Sequence, residues 1–517
     1  MAGKIKDILI VVVLLTAFAA AYFICQNYSV INGIRPFFTD SSNTSEAAAE
    51  ITELLEPEKI IVCDSSGNMF SAQSDFKLEK AERAEGADDS TLYASFVEAF
   101  RNIVSGSNEL SEIDESAYVS AISADSIAAQ YMCDITLSDF AECIDADFSV
   151  KGASDIHASV IAADSDSRNT VYIYDSEEGK YYSIKSDNES NVWSSLDDAL
   201  ASVESEGGTA YRFSTSDNSS AGYIPDDQTE FSILKDISFE PEYDAEDDSA
   251  LTEIEQMFFK DGTDFVRVST LSDGSVSYRY KYQDKILTVS PSGSISYKEK
   301  TDINSYRRTS LRDSLAIALE YIDSHGGMEK NGDVKVCLKS VESSGEDKSL
   351  KYTFDFGITC NGMKLIYPDN EGKMLTVTVT GGQVTEYFRD LPSFDSIDLP
   401  SDNSDSDDAW TDALPLSTLV EDNKSELASA LEMKTADTSV QDITENISMA
   451  EICIYRVSAE DDSGSGDEST ASSRSSNDTT ANGQYGTLVS AWHIVIGDRE
   501  FWFRAEDGEF IASDAAA

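Results

Sequence analysis

Histidine is nearly absent from this chain: there are three in 517 residues, His157, His325 and His493. None belongs to an H-x-x-x-H pair or lies near a cysteine pair, so zinc chemistry finds no ligand set and no metal is expected. Basic residues are also scarce, 38 Lys and Arg against 96 Asp and Glu, which leaves a net charge of −58. Such a surface repels phosphate backbones and anionic headgroups and so excludes nucleic-acid binding. No Walker loop, no G-x-S-x-G elbow and no G-x-G-x-x-G ahead of a helix occurs. The seven cysteines include no C-x-x-C, and several sit in apolar strand-like runs such as VKVCLKSV and AEICIYRV. That setting suits buried free thiols as well as disulfides.

Two partial motifs look like chemistry without supplying it. Ser232 and Lys235 fit S-x-x-K, and Ser401 to Asn403 fit S-D-N, but where K-T-G would follow there is only Lys434, Thr435 and Ala436. The S-D-N triplet recurs at Ser186 and Ser216, as expected by chance in a Ser- and Asp-rich chain. The run from Asp461 carries Gly466 as a calcium loop would, yet Ser472 stands where the bidentate glutamate belongs. No catalytic residue, cofactor or metal site is expected, and the chain reads as a non-enzyme.

The chain does contain one long apolar run. Ile8 to Cys25 reads ILIVVVLLTAFAAAYFIC with no charge, just long enough for a helix across about 30 Å of hydrocarbon. Ile8, Leu14, Leu15, Phe18 and Ile24 would face lipid as the anchor, and Ala17 and Ala21 form a small-xxx-small pair that can pack on another helix. Lys4 and Lys6 precede the run and Arg35 is the first basic residue beyond it, which places the N-terminus in the cytoplasm. A cleaved signal peptide at Ala19 to Ala21 is the competing reading, but apolar residues continue past the alanines to Cys25.

Beyond the anchor, folded segments alternate with acidic, Ser-rich spacers. KIIVC at Lys59 to Cys63 and the residues from Met69 predict a hairpin, as do Val171 to Tyr174 and Tyr181 to Lys185. Leu92, Phe96, Phe100 and Ile103 recur at helical spacing, with Asp89 or Ser90 as cap. A β-meander follows at Phe265–Leu271, Val276–Tyr282, Ile286–Ser290 and Ile295–Lys298. Within it Val276, Tyr278, Tyr280 and Tyr282 alternate onto one face, to pack on a helix or sheet or, as an alternative, to stack on sugars. Ser310 to Asp313 reads as a capping box opening a helix that Gly326 and Gly327 end, with His325 at its C-terminus. Two units then each run helix, long strand, long strand, terminal hairpin, which predicts a structural repeat. His493, inside a strand, is expected to point out of the core.

The expected architecture is α+β: one N-terminal transmembrane helix, then antiparallel β-meanders packed with helices, ending in a tandem of helix-plus-antiparallel-sheet units. The expected boundaries are a cytoplasmic tail (1–7), the span (8–28), an N-terminal α/β domain (50–230) and a central meander (231–300). A first C-terminal unit (301–390), an acidic linker (391–412) and a second unit (413–514) follow. The loop at 460–483 in that second unit has almost no apolar residue and is expected to be disordered.

The runs LAIALEYIDSHGG, YTFDFGITCNGMKLIYP and GKMLTVTVTGGQVTEYFR, and the ending YGTLVSAWHIVIGDREFWFRAEDGEFI, resemble the C-terminal part of YycH/YycI-type regulatory proteins. The single anchor behind a short basic tail is similar too. The resemblance covers the anchor and roughly the last 210 residues. It implies an extracytoplasmic regulator of the WalK/WalR (YycG/YycF) two-component system of low-GC Gram-positive bacteria, which governs cell-wall metabolism. The implied partners are a sensor histidine kinase in the membrane and a sister regulatory protein. The family brings no catalytic residue. This chain departs from it in the acidic linker, the loop and the acidity. The alternative is a PepSY-like cell-surface module that binds or inhibits wall polymer or a secreted protein, and for it the soluble ectodomain alone should suffice.

Overall fold

In the computed structural model the described residues run from Ile51 to Ala515. Residues 1–50, 73–90, 188–209, 216–220, 301–305, 327–333, 393–409, 431–438 and 458–486, with shorter stretches and single positions between, lie outside them. The anchor residues Ile8, Leu14, Leu15, Phe18 and Ile24, the pair Ala17 and Ala21, and the loop at 460–483 therefore all lie outside the described residues. Among the described residues no helix is long and apolar enough to cross a membrane. The described residues from Ile51 onward form one unit.

The first part of that unit runs β1 (Lys59–Cys63), β2 (Met69–Ala72), α1 (Leu92–Val104), β3 (Asn108–Ile113), α2 (Glu115–Ile122) and β4 (Ser126–Gln130). It continues through α3 (Leu137–Cys143), β5 (Ala158–Asp164), β6 (Thr170–Asp175), β7 (Lys180–Ser186), β8 (Ala210–Thr215) and β9 (Ala221–Pro225). These nine strands form one sheet in the order β3-β7-β6-β5-β4-β1-β2-β8-β9. Both hairpins form as the turn chemistry suggested, with Gly67 and Gly179 at positive φ in their turns. In α1, Leu92, Phe96, Phe100 and Ile103 are all buried, each worth about 1.5–3 kcal/mol of transfer free energy. Its cap is neither Asp89 nor Ser90 but Thr91, whose hydroxyl accepts from the Ala94 amide at 3.1 Å.

The chain then passes through β10 (Ser232–Leu234), β11 (Ile237–Ser238) and α4 (Asp248–Phe258) into the meander β12 (Val266–Thr270), β13 (Val276–Tyr280), β14 (Lys285–Val289) and β15 (Ile295–Glu299). Next come α5 (Leu311–His325), β16 (Val334–Ser344), β17 (Lys351–Cys360), β18 (Met363–Ile366), β19 (Leu375–Thr380) and β20 (Gln383–Arg389). The last segment holds β21 (Trp410–Asp412), α6 (Leu416–Asp422), α7 (Lys424–Ala430), α8 (Val440–Glu445), β22 (Ile447–Val457), β23 (Thr487–Ile496), β24 (Arg499–Arg504) and β25 (Phe510–Ala515). The result is a mixed α+β protein built on extensive antiparallel sheet.

Meander and C-terminal units share one fourteen-stranded sheet, because β15 pairs with β20. In each unit two long strands of 11 and 10 residues are followed by a hairpin: β16, β17, β19 and β20 in one, β22 to β25 in the other. Within each, the strands lie side by side in chain order. The seam between the units is the extra strand β18, which runs antiparallel to β17 and parallel to β22.

Tyr278 and Tyr280 face inward as their alternation predicts; Tyr282 lies outside the described residues. They join Tyr297 and Tyr387 under α4 and α5, where Phe258 stands 5.1 Å from the Tyr297 ring and Tyr321 5.4 Å from that of Tyr387. The stripe is therefore core. Ser310 caps α5, accepting from the Asp313 amide at 3.0 Å, and His325 occupies the last turn, where the helix dipole favours a cation. A reciprocal capping box forms instead at the start of α8, between Ser439 and Asp442. The six described cysteines are free thiols, five of them buried.

Candidate functional site

A charge inside an apolar strand must find a partner, because burying it alone costs far more than a strand's packing returns. Lys364 in GMKLIYP and Glu451 in SMAEICIY are two such charges. The parallel pairing of β18 with β22 sets Lys364 opposite Cys453, on the face that Glu451 also occupies two residues earlier. Glu451 lies directly opposite His493 on β23, and His493 opposite Trp502 on β24. Onto this face the nine-stranded sheet delivers Glu58 and Lys59, at the very start of β1.

The four charges close a ring. Lys59 Nζ lies 3.1 Å from Glu58 Oε1 and 3.2 Å from Glu451 Oε2, while Lys364 Nζ lies 2.8 Å from Glu58 Oε2 and 3.0 Å from Glu451 Oε1. Each ammonium thus bridges both carboxylates, and all four side chains are nearly closed to solvent. His493 extends the ring: Nδ1 stands 3.4 Å from Glu451 Oε1 and Nε2 3.0 Å from Glu500 Oε2. Its imidazole stacks on Trp502 with centroids 4.9 Å apart, and Lys59 Nζ lies 6.0 Å from the Tyr211 ring centre.

Burial penalises every charge here, so the directions of the pKa shifts show which contacts outweigh it. Burial pushes the Glu58 carboxyl up, and the neighbouring Glu451 pushes it further. Burial acts on Glu451 in the same sense, but Lys364 and Lys59 overcome it and hold Glu451 well below the carboxylate range. Burial lowers both lysines, yet the glutamates more than compensate and both rise above the ordinary lysine value. Burial also lowers His493, and its hydrogen bonds to Glu451 and Glu500 raise it past its ordinary value.

Chemically this is a clamp. Both amines are held as ammonium ions and committed to two carboxylates each, which removes them as nucleophiles, and both imidazole nitrogens are engaged. Its span is the notable property: Lys59 and Glu451 are 392 residues apart in sequence. Neighbouring contacts carry the junction on. The Ser214 hydroxyl donates to the Ile447 carbonyl at 2.8 Å, and Gly222 approaches the Ser448 carbonyl so closely that an added Cβ would sit 3.4 Å from it. A second junction joins α3 to α5, where Arg312 Nη1 meets Asp145 Oδ1 at 2.6 Å.

His493 corrects the sequence expectation. It is not turned out to solvent but 7% exposed, because Glu58 and Lys59 arrive from another sheet to cover that face. Among the other histidines, His325 sits at the C-terminus of α5, stacked 3.8 Å from Tyr321, and His157 pairs with Glu177 at 3.2 Å. Among the described residues no group of three or more His, Cys, Asp or Glu is placed to hold a metal ion. The sequence reading singled out none of Glu58, Lys59, Lys364, Glu451 or Glu500. The available signal was Lys364 and Glu451 as lone charges inside apolar strands.

No protein family matches the sequence as a whole or in part, and no curated protein matches it. Two solved structures align with this chain at low sequence identity. One is the crystal structure of YycH from Bacillus subtilis, at 12% sequence identity and a TM-score of 0.47, covering 86% of this chain and 95% of that one. The other is the C-terminal domain of YpeB from Bacillus megaterium, at 11% identity and a TM-score of 0.23, covering 52% of this chain and 98% of that one.

Proposed function

We propose that the chain is a non-catalytic, single-pass membrane protein whose extracytoplasmic bulk regulates a cell-wall-related two-component sensor histidine kinase. It acts through its span, with Ala17 and Ala21 as the helix-contact face, and through ectodomain contacts that include a sister regulatory protein. The observation that carries this reading is the fastening of β1. The first described strand after the apolar run of Ile8 to Cys25 is clamped by Glu58 and Lys59 to Lys364 and Glu451 of the C-terminal sheet. A push on that sheet reaches β1 through four short ionic contacts rather than through a slack tether. The resemblance of the C-terminal runs to YycH/YycI-type proteins supports the same reading.

The experiment compares the anchored chain with residues 51–517 secreted without the anchor, each returned to cells lacking the protein. A regulator working through its span restores normal phosphorylation of the response regulator only when anchored. Full restoration by the secreted form would instead favour the surface binding module.

A further inference from the structure

Among the described residues the fourteen-stranded sheet ends on an uncovered edge. β12 is its terminal strand, paired among them only with β13 and in continuous register without a bulge. Every residue of β12 after Val266 is exposed. Phe265, Val268 and Leu271 are 71%, 56% and 38% exposed, three of the four large apolar side chains that stand out in this way among the described residues. Soluble proteins normally shield a strand edge with proline, a bulge, charge or a covering element. Of these, β12 has a single charge, Arg267.

That charge is oddly placed for a guard. Arg267 lies directly opposite Arg279 on β13, and the row continues through Ile286 on β14 to Lys298 on β15. Like charges facing each other across a strand pair are destabilising, and one arginine would suffice to discourage edge pairing. Acids outnumber bases 96 to 38 in this chain, yet among the described residues neither arginine has an ion-pair partner. Lys298 does have one, Glu386 at 3.5 Å. Among the described residues, a positive strip lies beside exposed apolar groups on a strand whose outer edge pairs with no other strand, which is chemistry awaiting an occupant.

We propose that the open edge of β12 docks an extended acidic segment of a partner protein, which joins the sheet as a further strand. Backbone pairing would supply affinity, with carboxylates on Arg267 and Arg279 and apolar side chains on Phe265 or Val268 fixing register. A second copy of this chain fits less well. Two β12 strands paired antiparallel would put both Arg267 side chains on one face of the joined sheet, and the net charge of −58 opposes self-association. The same long-range field slows an acidic partner, but beyond about 8–10 Å it is screened at physiological salt, so the near field of the strip decides. The proposal stands independently of the kinase reading.

The test uses the full chain in detergent micelles and a fluorescent synthetic peptide of alternating Glu and Val, read by anisotropy and by amide hydrogen exchange. The expected result is saturable binding with protection of the amides of Val266–Thr270, and no protection of those amides by the matching Lys–Val peptide, which the net charge of −58 attracts only diffusely. The double variant R267E/R279E, or the milder Arg279→Gln, should weaken binding, about tenfold or more for the double, without lowering the melting temperature. Three results would overturn the proposal. One is no saturable binding up to about 1 mM peptide. Another is equal binding of polyphosphate without amide protection, which marks a polyanion site. The third is protection that appears only as the chain dimerises, which marks a second copy.

Discussion

Replacing Glu451 with methionine removes the carboxylate that contacts Lys59, Lys364 and His493 at 3.2, 3.0 and 3.4 Å. Charge-assisted hydrogen bonds contribute about 1.5–3 kcal/mol each, so the gross loss is several kcal/mol. Part is recovered, because Glu58 no longer has the charge of Glu451 beside it and its carboxylate still contacts both lysines. The expected net cost is about 3–5 kcal/mol, the range for breaking a buried ion pair from one side. Lys364→Met alone should cost a similar amount by stranding two carboxylates on one lysine. The double variant Lys364→Met with Glu451→Met leaves Glu58 and Lys59 as a balanced pair, and its stability should return most of the way to wild type. Urea unfolding followed by tryptophan fluorescence measures this, since Trp502 stacks on His493 within the site. A single-variant loss under about 1 kcal/mol, the value for an exposed pair, would refute the clamp. So would a double variant whose loss equals the sum of the singles.

The pKa of His493 is raised in the folded chain above its ordinary value of 6.5. Its charge therefore adds stability in full below that value and loses it as pH rises through the folded pKa. The melting-temperature advantage of wild type over His493→Gln should accordingly shrink from pH 6.5 toward alkaline pH; an advantage constant across that window would contradict the assignment. Gly326 ends α5 at φ +83°, and an added Cβ would lie 2.1 Å from Nη1 of the buried Arg389, which itself donates to the His325 carbonyl. Gly326→Ala should cost at least about 1–3 kcal/mol in urea unfolding, from backbone strain alone. The six described thiols are free, and burial lifts Cys63 to about 11 and Cys337 to about 12. A disulfide-exchange reagent at pH 8 should therefore label the native chain slowly and the denatured chain completely, while reductant leaves the melting temperature unchanged.

What could be read from the sequence was local. Phe96 and Phe100 announced α1 by spacing, the glycine turns announced their hairpins, and Ser310 announced the start of α5. Each signal involves residues a few positions apart. Pairings between distant segments left no such trace: nothing in KIIVC names β4 as its neighbour, and nothing in MKLI announces a parallel strand beside β22. The sequence points to a cap of α1 one or two residues early because Asp89, Ser90 and Thr91 can all accept a hydrogen bond, and only backbone geometry selects Thr91. His493 misled for a similar reason. Strand alternation tells which face a side chain takes, not whether another sheet covers that face. The clamp draws on residues 58, 59, 364, 451 and 493, so no window of sequence contains it.

The central claim is that the span is a working surface as well as an address. The most direct measurement is the phosphorylation level of the response regulator in cells whose chain carries an unrelated apolar span in place of Ile8 to Cys25. Signalling is expected to change although the chain still reaches the membrane in normal amount. Unchanged phosphorylation with the foreign span would contradict it.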